Sequence, residues 1–283
     1  MSDANVVGLT RRTLASNEEM GRAAARDAGE LLRRLTDEQE RPVMAMFAAA
    51  PSQDTFLDAL CAESGIRWDL VEGVHLDEYV DLERGHPNTF EAYLREHLFG
   101  RVPIPDGNVH YVKEVEGASA GETAAAYESR LRSVLDRVRA DGGVFVACIG
   151  IGVNGHIAFN EPHVDKRTGR MVVSVEIDAT SVQQQYDDYR DHPDPAARYA
   201  SLDDVPRRAV TVTCAGILVA DHIFCMVPGE QKARAVKAMW DGPVTDEVPA
   251  SLLRLHPRMR LYLDEASAGL LDRAPELDAT DPS

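Results

Sequence analysis

Cysteine is scarce in this chain, positive charge is in deficit, and long apolar runs are absent, and each shortage removes a class of protein. The four cysteines among 283 residues, Cys61, Cys148, Cys214 and Cys225, lie far apart, and three sit in apolar runs. That placement suits reduced, buried thiols and excludes a disulfide frame or a zinc knuckle. No H-x-x-x-H or C-x-x-C occurs and the histidines are scattered, so no metal site is expected. Lys and Arg number 30 against 47 Asp and Glu, a formal charge of -17. Nucleic acid and anionic membrane surfaces are therefore not expected as partners, because phosphate contacts need clustered bases, although a small anion can still bind locally. No apolar segment reaches the roughly 20 residues that span a bilayer, and no basic start precedes an apolar run. The expectation is a soluble, cytoplasmic protein. There is no G-x-S-x-G; Ser52 lies in Ala50-Pro51-Ser52-Gln53 and reads as a helix N-cap.

What the chain does carry is alternation. Apolar runs at Val43 to Ala50, Leu70 to Leu76, Val144 to Ile149, Met171 to Ile177, Val210 to Val212, His222 to Val227 and Arg260 to Leu263 read as strands. Between them fall helical patterns: one from Asn17, a plausible N-cap, one from Pro51 to about Glu63, one carrying Phe90, Tyr93, Leu94 and Leu98, one from Gly121 to about Ala140, and one from Gln231 to Trp240. Residues 1 to 16 lack clear periodicity, 103 to 120 are turn-rich, and the hydrophilic stretch Gln183 to Asp204 reads as a surface loop or lid. The order predicts an α/β fold: a mostly parallel sheet with helices on both faces, Rossmann-like and doubly wound, in a single domain over 1–271. Residues 272–283 read as a disordered acidic tail.

The chemistry concentrates where strands end. Val144 to Ile149 empties into Gly150, Gly152 and Gly155 and then presents His156, Asn160 and Glu161. The literal G-x-G-x-x-G mimics a dinucleotide fingerprint, but Pro162 and Gly169 interrupt the helix that fingerprint needs, so no cofactor is expected. The loop reads instead as a scaffold for His156, which can exchange a proton near neutral pH, with Glu161 to orient or charge it. A loop histidine satisfied by backbone groups is the competing reading. Asp77-Glu78 at the end of another predicted strand would arrive at the same sheet edge, and Asp77 there could remove a carbon-bound proton next to a carbonyl. Lys232 follows Pro228-Gly229 at a helix start, where backbone N–H groups favour an anion; a solvated lysine beside Arg234 and Lys237 is the alternative.

Two blocks give these residues a context: L-D-E-Y-V at Leu76 to Val80 with H-P-x-T-F at His86 to Phe90, and G-I-G-x-N-G-H-I-A-F-N-E-P at Gly150 to Pro162. Together they resemble the glucosamine-6-phosphate deaminase/isomerase family. The resemblance covers roughly Pro42 to Glu265, including P-G-E-Q-K-A at Pro228 to Ala233. It implies Asp77 as the base moving a proton between C2 and C1 of an open-chain amino sugar, His156 as the ring-opening group tuned by Glu161, Asn154 as a relay partner, and Lys232 as the phosphate ligand. The further candidate substrate contacts are Ser52, Gln53, Glu78, Gly152 and Gly155. Ala49 to Asp54 stands where many members carry a Gly-Gly/Ser-Thr-Pro phosphate loop, with Asp54 poised to repel a phosphate, and neither Arg190 nor Arg198 aligns with the family's phosphate-binding arginine. The implied activity converts glucosamine 6-phosphate, or a related anionic sugar, to a ketose phosphate and ammonia without a metal. Sugar-lactone hydrolysis and non-catalytic sugar-phosphate sensing are the alternatives, and family analogy suggests a homo-oligomer.

Overall fold

Five residues of one strand, Val43–Phe47, are all buried, which requires cover on both faces of the sheet. The computed structural model describes residues 9–115, 117–162 and 168–271, so the expected acidic tail at 272–283 lies outside the described residues. The chain opens with β1 (Thr10–Leu14) and α1 (Asn17–Arg33), and then runs through β2 (Val43–Phe47), α2 (Asp54–Cys61), β3 (Val71–His75) and β4 (Asp77–Tyr79). Next come α3 (Phe90–Leu94), β5 (Val109–His110), α4 (Ala120–Ala140), β6 (Val144–Ile149), β7 (Val172–Glu176) and α5 (Ala179–Tyr189). The last elements are β8 (Arg208–Val212), α6 (Cys214–Leu218), β9 (His222–Val227), α7 (Ala233–Asp241) and β10 (Met259–Asp264).

Seven strands form one sheet in the order β1-β10-β9-β6-β2-β3-β5, every pairing parallel. Successive side chains of β2 go to opposite faces. Val43, Ala45 and Phe47 join α1 and α2 residues such as Leu32 and Leu57 in one core, whereas Met44 and Met46 join Leu131 and Val134 of α4 and Val236 of α7 in the other. The Rossmann-like, doubly wound α/β class read from the sequence is what the chain adopts. The chain leaves β2 toward β3 on one side, while β6 lies on the other, so the strand order reverses between β2 and β6. Diverging connections open a crevice there, beyond the carboxyl ends of the strands.

The differences from the sequence reading are local. Residues 10–14, which showed no periodicity, form the edge strand β1, and the turn-rich stretch contains β5. The cap of α1 is Ser16, whose hydroxyl accepts from the Glu19 N–H, and not Asn17, which is its first helical residue. Ser52 caps nothing: it sits within a single 3₁₀ turn, Pro51–Gln53, that leads into α2. Asp77–Tyr79 does not end β3 but starts a second, antiparallel sheet, β4-β8-β7, with Asp77 opposite Thr211. The stretch expected to be a loop or lid, Gln183 to Asp204, begins inside α5, a helix of three turns capped by Asp178. Among the described residues no helix is long and apolar enough to cross a membrane.

Candidate active site

The crevice at the strand-order reversal collects residues from the ends of four parallel strands. Ala48 to Ala50, Ser52 and Gln53 follow β2, Leu76 and Asp77 follow β3, Gly150 to Gly152 and His156 follow β6, and Lys232 follows β9. Gln184 and Gln185 of α5 complete the wall. Of the residues singled out in the sequence, Asp77, His156, Lys232, Ser52, Gln53 and Gly152 meet here.

The loop after β6 holds the imidazole by several independent contacts. Gly152 N–H donates to the His156 carbonyl at 2.9 Å, and Gly155, at φ 85°, turns the chain where a β-carbon would be strained. A β-carbon on Gly152 would stand 2.1 Å from His156 Cε1 and Nε2, so the ring lies directly on that glycine. Asn160 is a structural peg: its amide donates to the Ile157 and Val212 carbonyls and accepts from Cys214 N–H. Asn154 accepts from His156 N–H at 3.1 Å and donates to Glu161 Oε2 at 2.8 Å. It therefore orients the carboxylate, and as an amide it carries no proton of its own to relay.

Glu161 is fully buried behind the ring, its Oε2 3.4 Å from His156 Nδ1. Burial works against its charge, but hydrogen bonds from His156, Ser181 and Asn154 outweigh burial and hold its pKa below the usual glutamate value. Ser181, a residue absent from the sequence reading, bridges the pair, with its Oγ 2.9 Å from His156 Nδ1 and bonded to Glu161 Oε1.

Asp77 is treated in the opposite way. It is 8% exposed, lines the crevice, and its carboxylate has no hydrogen-bond partner among the described residues. Burial, with the Glu78 carboxylate beside it, drives its pKa well above the ordinary aspartate value. Glu78 itself does not reach the crevice, contrary to the expected substrate contact. Its carboxylate accepts from the backbone N–H groups of Tyr79, Phe90 and Glu91 at 2.8 to 3.0 Å, which satisfies the start of α3. Burial still raises its pKa to about 7.

Lys232 donates to Gln184 Oε1 at 3.2 Å and is buried; burial lowers its pKa to about 8, against the opposing charge of Asp188. Gln53 donates to the Met226 carbonyl at 3.3 Å, which leaves its buried Oε1 without a donor. Asp54 turns away from the crevice toward the Tyr93 hydroxyl and His97 Nδ1, so it does not oppose an anion there as its position in sequence suggested. Arg190 pairs with Asp187 and Asp191, and Arg198 donates to the His192 carbonyl; neither lines the crevice. Among the described residues no cluster of His, Cys, Asp and Glu is arranged to hold a metal ion.

An open, parallel α/β sheet with proton-exchanging groups gathered at its switch point defines a small-molecule enzyme type of site. The model of the glucosamine-6-phosphate isomerase/6-phosphogluconolactonase family matches residues 15–262. The glucosamine-6-phosphate deaminase of Clostridium perfringens (strain 13) is 30% identical over 256 residues, covering 90% of this chain and 96% of the relative. That of an Arthrobacter species (strain FB24) is 33% identical over 263 residues, 91% of each. The chain belongs to the glucosamine-6-phosphate isomerase/deaminase family within that superfamily. The fold agrees with two solved structures. A monomeric glucosamine-6-phosphate deaminase superposes with TM-score 0.77 at 23% identity, covering 92% of this chain and 99% of that one. The 6-phosphogluconolactonase of Trypanosoma brucei gives 0.70 at 18%, covering 94% and 100%.

Proposed function

We propose that the protein converts glucosamine 6-phosphate, or a closely related anionic amino sugar, to the ketose phosphate and ammonia. The observation that carries this reading is the buried, unpartnered carboxylate of Asp77 in the same crevice as the His156 imidazole. A carboxylate held out of water without partners is a strong base once ionised, and it suits removal of a proton next to a carbonyl or imine. In this mechanism His156 moves the anomeric hydroxyl proton to the ring oxygen, opening the pyranose. Asp77 then takes the C2 proton as the C1 oxygen gains one, giving an enolamine, and returns its proton to C1 as the amino group gives up an N–H proton, which leaves a hydroxyl on C1 and an imine at C2. Water adds to C2 and ammonia departs, so one water is consumed for each ammonia released. Lys232 neutralises part of the phosphate charge, and Ser52 and Gln53 take hydroxyl contacts, the free Oε1 of Gln53 accepting one.

The test is direct. Purified protein given millimolar glucosamine 6-phosphate should release ammonia and form the ketose phosphate in equal amounts; no product of either kind refutes the assignment. Turnover of 6-phosphogluconolactone in its place would assign the crevice to lactone hydrolysis, with His156 activating water.

A further inference from the structure

Ser181 belongs to α5, 20 positions beyond Glu161 in the chain, and it is 1% exposed. Among the described residues its hydroxyl bonds two groups: Glu161 Oε1 and, at 2.9 Å, His156 Nδ1. A hydroxyl has one hydrogen to donate. Glu161 is held ionised by its hydrogen bonds and can only accept, and its other oxygen already takes the Asn154 amide at 2.8 Å. The Ser181 hydrogen therefore goes to Glu161, and the oxygen is left to accept from His156. An acceptor 2.9 Å from Nδ1 places the imidazole hydrogen on Nδ1. Nε2, on the other edge of a ring that lines the crevice, then carries the lone pair and has no protein partner among the described residues.

We propose that Ser181 is a positioning residue that fixes the Nδ1–H tautomer of His156, so that Nε2 faces the substrate as a base. When Nε2 takes the anomeric hydroxyl proton, the resulting imidazolium keeps its Nδ1–H on Ser181 Oγ, with the Glu161 charge behind it. When Nε2 gives that proton to the ring oxygen, the C1–O5 bond breaks, the C1 carbonyl forms, and the imidazole returns to the state in which it began. No proton passes through Ser181 itself; its part is to hold one tautomer and one ring orientation between a fixed carboxylate and the crevice.

The kinetic half of this inference rests on the proposed sugar chemistry, but the tautomer does not, and so it is tested first. Two-bond nitrogen–proton correlation spectra of the ¹⁵N-histidine-labelled full chain, with the His156 signals assigned from a His156→Asn sample, should show protonated Nδ1 and bare Nε2. A protonated Nε2 in the neutral ring overturns the proposal whatever the substrate is. In Ser181→Ala the acceptor left to Nδ1 among the described residues is Glu161 Oε2 at 3.4 Å, too long for a strong hydrogen bond, so the Nε2–H form should become populated, and kcat should fall about 10²-fold with KM little changed. Ser181→Thr, which keeps the hydroxyl, should restore both the tautomer and kcat to within about fivefold. An alanine variant that keeps the wild-type tautomer and kcat refutes the role. If the alanine variant fails to fold, the wild-type spectrum and the threonine variant still decide.

Discussion

Gly152→Ala isolates the placement of the imidazole from everything else in the crevice. A β-carbon at position 152 would lie 2.1 Å from His156 Cε1 and Nε2 and 2.4 Å from Nδ1, whereas ordinary contact begins near 3.4 Å, so the ring must retreat by about 1.3 Å. It cannot do so freely, because Nδ1 is bonded to Ser181 and the loop is closed by the Gly152 N–H on the His156 carbonyl. A misplacement of about 1 Å in a catalytic group costs on the order of 10²-fold in rate, or about 2.7 kcal/mol of barrier. The backbone at Gly152 is not in the left-handed region, so alanine itself is accommodated and β6 is untouched. We therefore expect kcat/KM on the substrate the wild type turns over to fall about 100-fold, with about 1–3 kcal/mol of stability lost in urea melts to crowding of the ring. Gly155→Ala, at φ 85°, is the contrasting variant, its cost being backbone strain rather than a clash with the imidazole. Activity of Gly152→Ala within threefold of wild type would falsify the claim that the ring must rest on this glycine.

Asp77→Asn keeps shape but removes the base, so solvent deuterium should no longer enter the product at C1, with kcat down at least about 10³-fold. Because the lost charge was buried and unpartnered, the melting temperature should not fall; retained deuterium exchange removes Asp77 from the mechanism. Lys232→Met should raise KM for a phosphorylated substrate roughly 10- to 100-fold, the worth of a charge-assisted hydrogen bond, with a smaller effect on kcat. The lysine loses its proton as pH rises through about 8. Wild-type kcat/KM should accordingly decline above that pH and the variant should lack that limb; a limb common to both assigns it elsewhere. His75 is buried with neither ring nitrogen bonded among the described residues, and burial, then the Arg95 charge, lowers its pKa to about 3. The unfolded chain binds a proton there near pH 6.5 that the folded chain refuses, so stability falls with acid by about 1.4 kcal/mol per pH unit from this group between those limits. His75→Phe, still packed against Tyr111, should remove that slope in urea melts between pH 6 and 4 and leave the contribution of His222, whose pKa is held at about 4. Identical slopes in the two proteins would show that His75 is not held neutral.

How far the sequence could be read depended on what each element faces. β6 and β9 were read with the bounds the structure gives them, because a parallel strand buried on both faces must be apolar throughout. The meeting of Asp77 and His156 in one crevice followed, since parallel strands deliver their ends to one edge. Helix α5 was hidden because its buried face is mixed: Val182 and Tyr189 join the core with Tyr186 packed against it, while Ser181, Gln184 and Gln185 turn toward the polar crevice and its histidine and interrupt the apolar stripe. The available signal was Asp178 as a cap, with Val182 and Tyr189 seven residues apart. β1 was hidden because it is an edge strand of mixed polarity, Thr-Arg-Arg-Thr-Leu, and β4 because three residues are too few for a pattern. Glu78 was misplaced because it neighbours Asp77 in sequence, while successive residues of a strand face opposite sides.

That alternation separates Asp77 from Glu78, and the loop after β6 adds a third carboxylate, Glu161, in a different environment again. Glu78 is saturated by three backbone N–H groups and serves the start of α3. Glu161 is saturated by side chains on both oxygens, and its pKa is held below the usual value, so it is a fixed negative charge behind the imidazole. Asp77 receives no hydrogen bond from the described residues, its pKa is pushed well up, and it alone among the three lines the crevice. Environments that shift Asp77 and Glu161 in opposite directions support the proposed division of labour, proton carrier against electrostatic support. The division follows from the fold, because the strand ends that bring Asp77 and His156 to one crevice also place Glu78 on the backbone donors at the start of α3 and Glu161 on the side chains behind the imidazole.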